Sequence, residues 1–384
     1  MKHIKRIPHL FWLATIGFVV LVTIFLFTGS RYDYLQTMLA NLFPSDNVLL
    51  VKVISVQEEK TAFNNTPSWV DTIQAQFLTG SAKGQEITIH DQGLETADPA
   101  QKVKAGETII VAKNTDFQGD SYYMTDRYRL PALVFLALVF VLAILLFGGI
   151  RGLTSLFGLA ASIAILLLFV VPRILAGSDP LTISFIGAVC IAIVSLYLAH
   201  GFNKRTTVAL AGTLITLGIA LGLTVIFAST TKLLGIATEA SAYLKIINTG
   251  INLRGLLLGG IIIGMLGVLD DVTIGQVTTV QEIKEANQSL GFGELYRRGI
   301  SVGREHIASL VNTLVLAYAG VSFPLFLLLI VQSQNNTVPL WLAVNGEPIA
   351  QEIARTLIGS LALVFAVPIT TLLAAYYYGR VEKK

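Results

Sequence analysis

The chain has 384 residues, 54% of them hydrophobic and only 13% charged, about half the charged share of a soluble domain, which excludes a single water-facing globule. A formal net charge of +3 is too small to point to nucleic acid. One cysteine, Cys190, lies inside an apolar run. It excludes a disulfide framework or thiolate metal centre within one chain and reads as a small buried apolar residue.

In chain order, a basic head with Lys2, Lys5 and Arg6 precedes an apolar run from Leu10 to Phe27. That run is longer than a signal-peptide core and no small-x-small cleavage site follows, so it reads as an uncleaved anchor. Residues 1–30 are therefore expected to form a cytoplasmic N-terminus and a first transmembrane helix. Residues 31–129 differ in character, with nine basic and thirteen acidic side chains. Val48-Leu-Leu-Val-Lys-Val-Ile-Ser-Val and Glu86-Ile-Thr-Ile-His read as strands, and Val103-Lys-Ala-Gly-Glu-Thr-Ile-Ile-Val as a glycine turn feeding a strand. Short strands with such turns predict a small β-rich domain, a barrel of SH3 or OB type. The lone His90 is read as structural or surface.

Residues 130–384 are expected to form a membrane domain of seven helices. The runs are roughly Pro131–Gly149, Leu153–Val171, Leu181–Ala199, Val208–Ala228, Leu256–Leu269, Ile307–Val331 and Leu357–Tyr378. Most reach the ~17–25 residues a bilayer requires. The sixth run of the chain is short unless it begins near Ile251, which brings Arg254 to the interface to snorkel. The fold class predicted is thus a mainly α, polytopic helical membrane protein of about eight transmembrane helices. Alternating from a cytoplasmic N-terminus puts Arg151, Lys204, Arg205, Lys284, Arg297, Arg298, Arg304 and Arg380 inside, and few basic residues in the short outside loops. Both termini are then cytoplasmic and residues 31–129 lie outside.

Glycines mark close helix packing. Gly218 and Gly222 share the fifth run; Gly255, Gly259, Gly260, Gly264 and Gly267 follow in the sixth, with small-xxx-small spacing at Gly255/Gly259 and Gly260/Gly264. Pro324 and Pro368 are expected to kink the last two spans.

Chemistry concentrates where the sixth run ends. Asp270 and Asp271 are adjacent carboxylates there, and ionisable groups at membrane depth are functional candidates by default. Asp270, Thr273 and Gln276 follow helical i, i+3 spacing. A loop of about 34 residues, Val272 to Glu305, is expected to return the chain to Arg304, His306, Ser309 and Asn312, with Glu305, Ser309 and Asn312 on one helical face. Three readings stand side by side: a helix cap paired with Arg304, a cation or polar-solute site for transport, and a partner surface. Asp270, Asp271 and His306 are the candidate metal ligands, at a spacing that is not diagnostic. An enzyme is disfavoured. Both aspartates lie on one helix with no second aspartate in another span, and no P-loop, dinucleotide-binding glycine pattern or histidine-rich motif occurs.

Gly267-Val-Leu-Asp-Asp-Val-Thr273 with Gln276, followed by Gly303-Arg-Glu-His-Ile-Ala-Ser-Leu-Val-Asn-Thr-Leu-Val-Leu-Ala-Tyr-Ala-Gly320, is similar to the YibE/F family of bacterial membrane proteins. The resemblance covers roughly Leu130 to Tyr378, and the length suggests the YibE-like member. It implies a bacterial plasma membrane location and a shorter paralogue as a hetero-oligomeric partner; it implies no cofactor and supplies no mechanism. The functional expectation is a transporter or channel-like protein for a small solute or ion, acting in the lipid bilayer. The alternative is an envelope scaffold acting with a membrane partner.

Overall fold

The computed structural model describes residues 47–63, 66–94, 102–116, 119–248, 250–334 and 339–380. The expected anchor Leu10–Phe27 lies outside the described residues. The chain divides between Leu146 and Phe147 into two compact units.

The first unit holds five strands: β1 (Val48–Phe63), β2 (Thr66–Phe77), β3 (Glu86–Leu94), β4 (Thr108–Asp116) and β5 (Gly119–Arg127). They pair antiparallel in the order β3-β2-β1-β4-β5. Alternate residues build the core: Leu49, Val51 and Val53 on β1, Ile73, Ala75 and Phe77 on β2, Ile89 on β3, Ile109 and Val111 on β4. This is the period-two pattern of a sheet buried on one face. Ile54 continues the alternation outward, and a bulge between Val53 and Ser55 shifts the register with β2 just beyond this core. Gly106, at φ 89°, makes the tight turn into β4 and donates its N–H to the Val53 carbonyl at 2.8 Å.

The expected barrel does not form. β3 and β5 are the two free edges of an open sheet. Closure needs strands of matched tilt and stagger around a ring. Here β1 pairs β4 only over Val48–Lys52 and spends its far half in a long ribbon with β2.

The helices follow. α1 (Leu130–Ile165) runs on through a π-helical turn (Leu166–Val170) into α2 (Val171–Leu175). Gly149 interrupts α1 at φ 55°, ψ −139°, a conformation open to glycine and strained for other residues. The expected runs Pro131–Gly149 and Leu153–Val171 are therefore two segments of one 46-residue element separated at Gly149. α3 (Pro180–His200) starts at an Asp179 cap that accepts the Thr182 N–H at 2.9 Å, and α4 (Lys204–Thr230) at an Asn203 cap that accepts the Thr206 N–H at 2.9 Å. A short α5 (Glu239–Ile247) precedes α6 (Leu253–Ala286), α7 (Phe292–Val321), α8 (Phe323–Gln334), α9 (Leu340–Asn345) and α10 (Glu347–Arg380).

Among the described residues, five helical elements are long and apolar enough to cross a membrane, or six if α7 and α8, bent by 64°, form one span. α6 is the most buried of them and packs against α3, α4, α7 and α10. α10 in turn packs on α4 and α7. The core of this unit is therefore the α4–α6–α10 contact, with α3 and α7 flanking it.

Candidate functional site

α6 does not end at the aspartates. It continues as helix to Ala286, and the expected 34-residue loop is reduced to the turn before α7. Asp270 thus lies roughly 24 Å of helix from Arg254 and 21 Å from Lys284, near the centre of α6. A helix cap is excluded, since capping acts only on the unpaired groups of the first or last turn. The pairing with Arg304 is absent as well: Arg304 is exposed on α7 and takes part in none of the ion pairs among the described residues.

The surroundings of Asp270 are hydroxyl-rich. The Thr273 hydroxyl donates to the Asp270 carbonyl at 3.1 Å and stands 2.8 Å from the Thr213 hydroxyl of α4. Thr213 is also a polar neighbour of the Asp270 carboxyl. Asp270 Oδ1 is buried without a hydrogen-bond partner. Thr213 has one proton to give and two acceptors to serve, the Thr273 oxygen and the carboxyl. With Asp270 protonated, its O–H can turn to Thr213 while Thr213 donates to Thr273 and Thr273 to the Asp270 carbonyl, so that each hydroxyl of this relay has a partner. With Asp270 ionised, Thr213 must release one neighbour to satisfy the other. Asp271 points elsewhere: it is exposed and lies in electrostatic range of His200 at the end of α3.

One turn further along α6, Gln276 is wholly buried. Its amide donates to the Gly299 carbonyl of α7 at 2.8 Å and to the Thr371 hydroxyl of α10 at 2.7 Å. Thr371 donates onward to the Val367 carbonyl at 2.6 Å. Gln276 Oε1, Thr206 Oγ1, Thr216 Oγ1 and Thr370 Oγ1 are buried with no partner. Buried polar atoms are normally paired, so several orphans in one helix contact are an anomaly that calls for a cause. Together these residues form a polar file through the α4–α6–α10 core.

Of the residues picked out in the sequence, the structure gathers Asp270, Thr273 and Gln276 into this file. Arg304, His306, Ser309 and Asn312 are exposed on α7, outside this file. Sequence reasoning missed Thr206, Thr213, Thr216, Thr370, Thr371 and His200. The signal for the α4 threonines was available: Thr206, Thr213, Thr216 and Thr224 recur on one helical face inside an apolar run.

The packing glycines divide similarly. A Cβ on Gly255 would come within 3.3 Å of Pro180, one on Gly259 would collide with Ser184, and one on Gly264 would meet the Tyr318 hydroxyl at 3.1 Å. Gly218, Gly222, Gly260 and Gly267 have nothing within 4 Å of such an atom. The tightest contacts around the file involve unremarked glycines. A Cβ on Gly212 would press on Thr370 at 2.6 Å, and one on Gly299 on Thr371 at 2.7 Å; on Gly303 it would strike Val367. These glycines bring α4 and α7 close enough to α10 and α6 for the file to form.

Among the described residues no group of three or more His, Cys, Asp or Glu side chains is arranged to hold a metal ion. Asp270 and Asp271 share α6, whereas His306 is exposed on α7.

No curated protein and no solved structure matches the chain. The family model described as YibE/F-like protein matches residues 136–380, which take in every helix of the second unit, the hydroxyl file and the α7 face. With its long apolar helices this fits a membrane protein, and the chain belongs to the YibE/F-like family.

Proposed function

We propose that this chain is a membrane transport protein for protons or a small monovalent cation, with Asp270 as the group that takes up and releases the ion. The observation that carries this reading is a carboxyl near the centre of α6 whose Oδ1 is buried and unpartnered. A lone carboxyl among apolar helices is expensive to maintain, and such groups mark ion pathways. The Thr213–Thr273 relay gives it the means to exchange a proton by reversing hydroxyl donors. The orphaned hydroxyls of Thr206 and Thr370 and the Gln276 amide oxygen supply further oxygen ligands, suited to a proton, hydrated or not, or to a small hard cation. In this reading the basic ends of α4, α6 and α10, at Lys204, Lys284 and Arg380, face the cytoplasm. The bilayer is that of the bacterial plasma membrane.

The test is flux in reconstituted liposomes, with a pH-sensitive dye inside and a potassium diffusion potential imposed across the membrane. Wild-type protein is expected to pass protons, or to pass sodium or potassium when either replaces the proton gradient. Asp270→Asn keeps the shape of the side chain and is expected to cut flux at least tenfold, while Asp271→Asn retains most of it. Equal flux in Asp270→Asn and wild type overturns the assignment of the site. No flux of any of the three ions overturns the transport reading.

The scaffold reading keeps one supporting observation, the open sheet. Its edges β3 and β5 each have one side unpaired within the sheet, a geometry to which an extended partner segment can add as a further strand. Deleting residues 31–129 separates the two readings: a scaffold loses its partner in pull-downs, whereas flux through the helices persists.

A further inference from the structure

The outward face of α7 is polar where its neighbours are apolar. α7 runs antiparallel to α10 in a register set by packing: Phe292 lies at Gly379, Gly299 at Thr371, Gly303 at Val367, Leu314 at Gly359, and Ser322 bonds Glu352. Val367 is the midpoint of the apolar run Leu357–Tyr378 of α10. Arg304 and Glu305, one and two residues beyond Gly303, therefore sit level with the middle of that run. Both are exposed, as is Asn312 two turns on. None of the ion pairs among the described residues involves Arg304 or Glu305.

Lipid cannot cover this face, because a guanidinium, a carboxylate and an amide at that depth require polar partners. The expected anchor Leu10–Phe27 carries no charged side chain, its polar groups being those of Trp12, Thr15 and Thr23, and so offers no counter-charge to Arg304 or Glu305. The spacing names the occupant. Ser301, Glu305, Ala308, Asn312, Val315 and Ala319 follow each other at intervals of four and three residues, the repeat of a two-helix seam. The first five are exposed. Two copies of one chain inserted the same way are related by a two-fold axis along the membrane normal, so like helices meet in parallel. In that arrangement Glu305 enters the hole bounded by Ser301, Arg304, Glu305 and Ala308 of the other copy, so the two carboxylates lie near each other and each is offset by the guanidinium of the opposite copy. Asn312 meets its own counterpart, an amide that donates and accepts at once. Ser301, Ala308 and Ala319 are small enough to let the two backbones approach.

We propose that this face is the contact between two copies of the chain, a symmetric dimer built along α7 with reciprocal Arg304–Glu305 pairs and an Asn312–Asn312 pair. The proposal rests on the helices crossing a bilayer and not on transport.

The experiment uses the full-length chain in native membranes and in nanodiscs, on a Cys190→Ala background. Asn312→Cys is expected to cross-link two copies with a short bis-maleimide. Ile226→Cys, on the exposed side of α4, is the control and is expected not to do so. Particle mass in nanodiscs should correspond to two chains. Arg304→Glu alone and Glu305→Arg alone should each shift the population to monomer, while the double exchange restores the dimer. Unchanged thermal unfolding of the single variants rules out misfolding as the cause. A monomeric wild type, equal cross-linking of the control, cross-linking of Asn312→Cys only to a different protein, or failure of the double exchange to restore the dimer each overturns the proposal. None of these readouts involves flux, so this proposal and the transport reading fail or stand separately.

Discussion

Replacing Asp270 with leucine should make the protein more stable while abolishing its transport. Oδ1 of Asp270 is buried with no partner, and an orphaned buried polar atom costs about 1–3 kcal/mol. Leucine is close in length and favours the helix interior by a few tenths of a kcal/mol over aspartate, roughly 0.5. The loss on the other side is small, because Thr213 keeps the Thr273 hydroxyl at 2.8 Å when the carboxyl is removed. The net expectation is a gain of about 1–3 kcal/mol. For a helical unit of this size that corresponds to a rise in unfolding temperature of roughly 2–10 °C. The assay is thermal unfolding of detergent-solubilised wild type, Asp270→Asn and Asp270→Leu, paired with liposome flux for each. A carboxyl held by the fold for its structural value would give the opposite sign, since leucine would then leave its partners unpaired. A lowered unfolding temperature for Asp270→Leu refutes the argument that this group is strained for function.

The remaining predictions concern packing and capping. Gly303→Ala puts a methyl against Val367 and within 3.2 Å of both polar atoms of the Gln276 amide, and should cost about 1–3 kcal/mol by overpacking in a thermal-unfolding comparison. Gly260→Ala, with nothing within 4 Å, should instead be neutral or slightly stabilising in the same assay. Asp179→Ala removes the α3 cap and should cost about 1 kcal/mol at neutral pH. The hydrogen bond from the Thr182 backbone N–H is the first of several that hold the Asp179 carboxyl below its ordinary value of 3.8. A carboxyl lowered by folding stabilises the folded state at pH values above its unfolded value, and that contribution fades as pH falls through the folded one. The difference between wild type and Asp179→Ala should therefore be full at pH 6–7 (an interval well above 3.8) and shrink below about pH 4.

The strands β1, β3 and β4 were legible because aliphatic residues alternate along them. β2 begins Thr66-Pro-Ser and β5 reads Gly119-Asp-Ser-Tyr-Tyr-Met-Thr-Asp-Arg, with too few aliphatics for the period to show. The long helices were legible from apolar runs, and their ends were not. α6 was cut at Leu269 because two carboxylates ordinarily mark the water boundary, yet Val272, Ile274, Val277 and Val280 are buried beyond them and carry the helix inward-facing to its last turns. That misplaced end converted the start of α7 into a loop, which concealed Gly299 and Gly303 as a small-xxx-small pair. Sheet closure was not readable, since it depends on which edges meet and not on any strand's own pattern.

The sequence places Asp270, Gln276, Arg304 and Asn312 in two neighbouring segments, and proximity along the chain invites treating them as one site. Helix geometry divides them. Gly303 packs directly on the Gln276 amide and Val367, so it fixes the inward face of α7. Each residue turns an α-helix by about 100°, so Arg304 and Glu305 are carried around toward the outside and Asn312, nine residues past Gly303, comes out roughly opposite it. The contact that builds the hydroxyl file is therefore the same contact that drives the charged stripe outward. A substitution at Gly303 should disturb the file first, because the added methyl lies between α7 and Gln276. A charge exchange at Arg304 and Glu305 should leave the file intact, because nothing on that side of α7 touches it among the described residues. Two polar regions with one shared glycine between them predict that stability of the file and association of copies respond to different substitutions on the same helix.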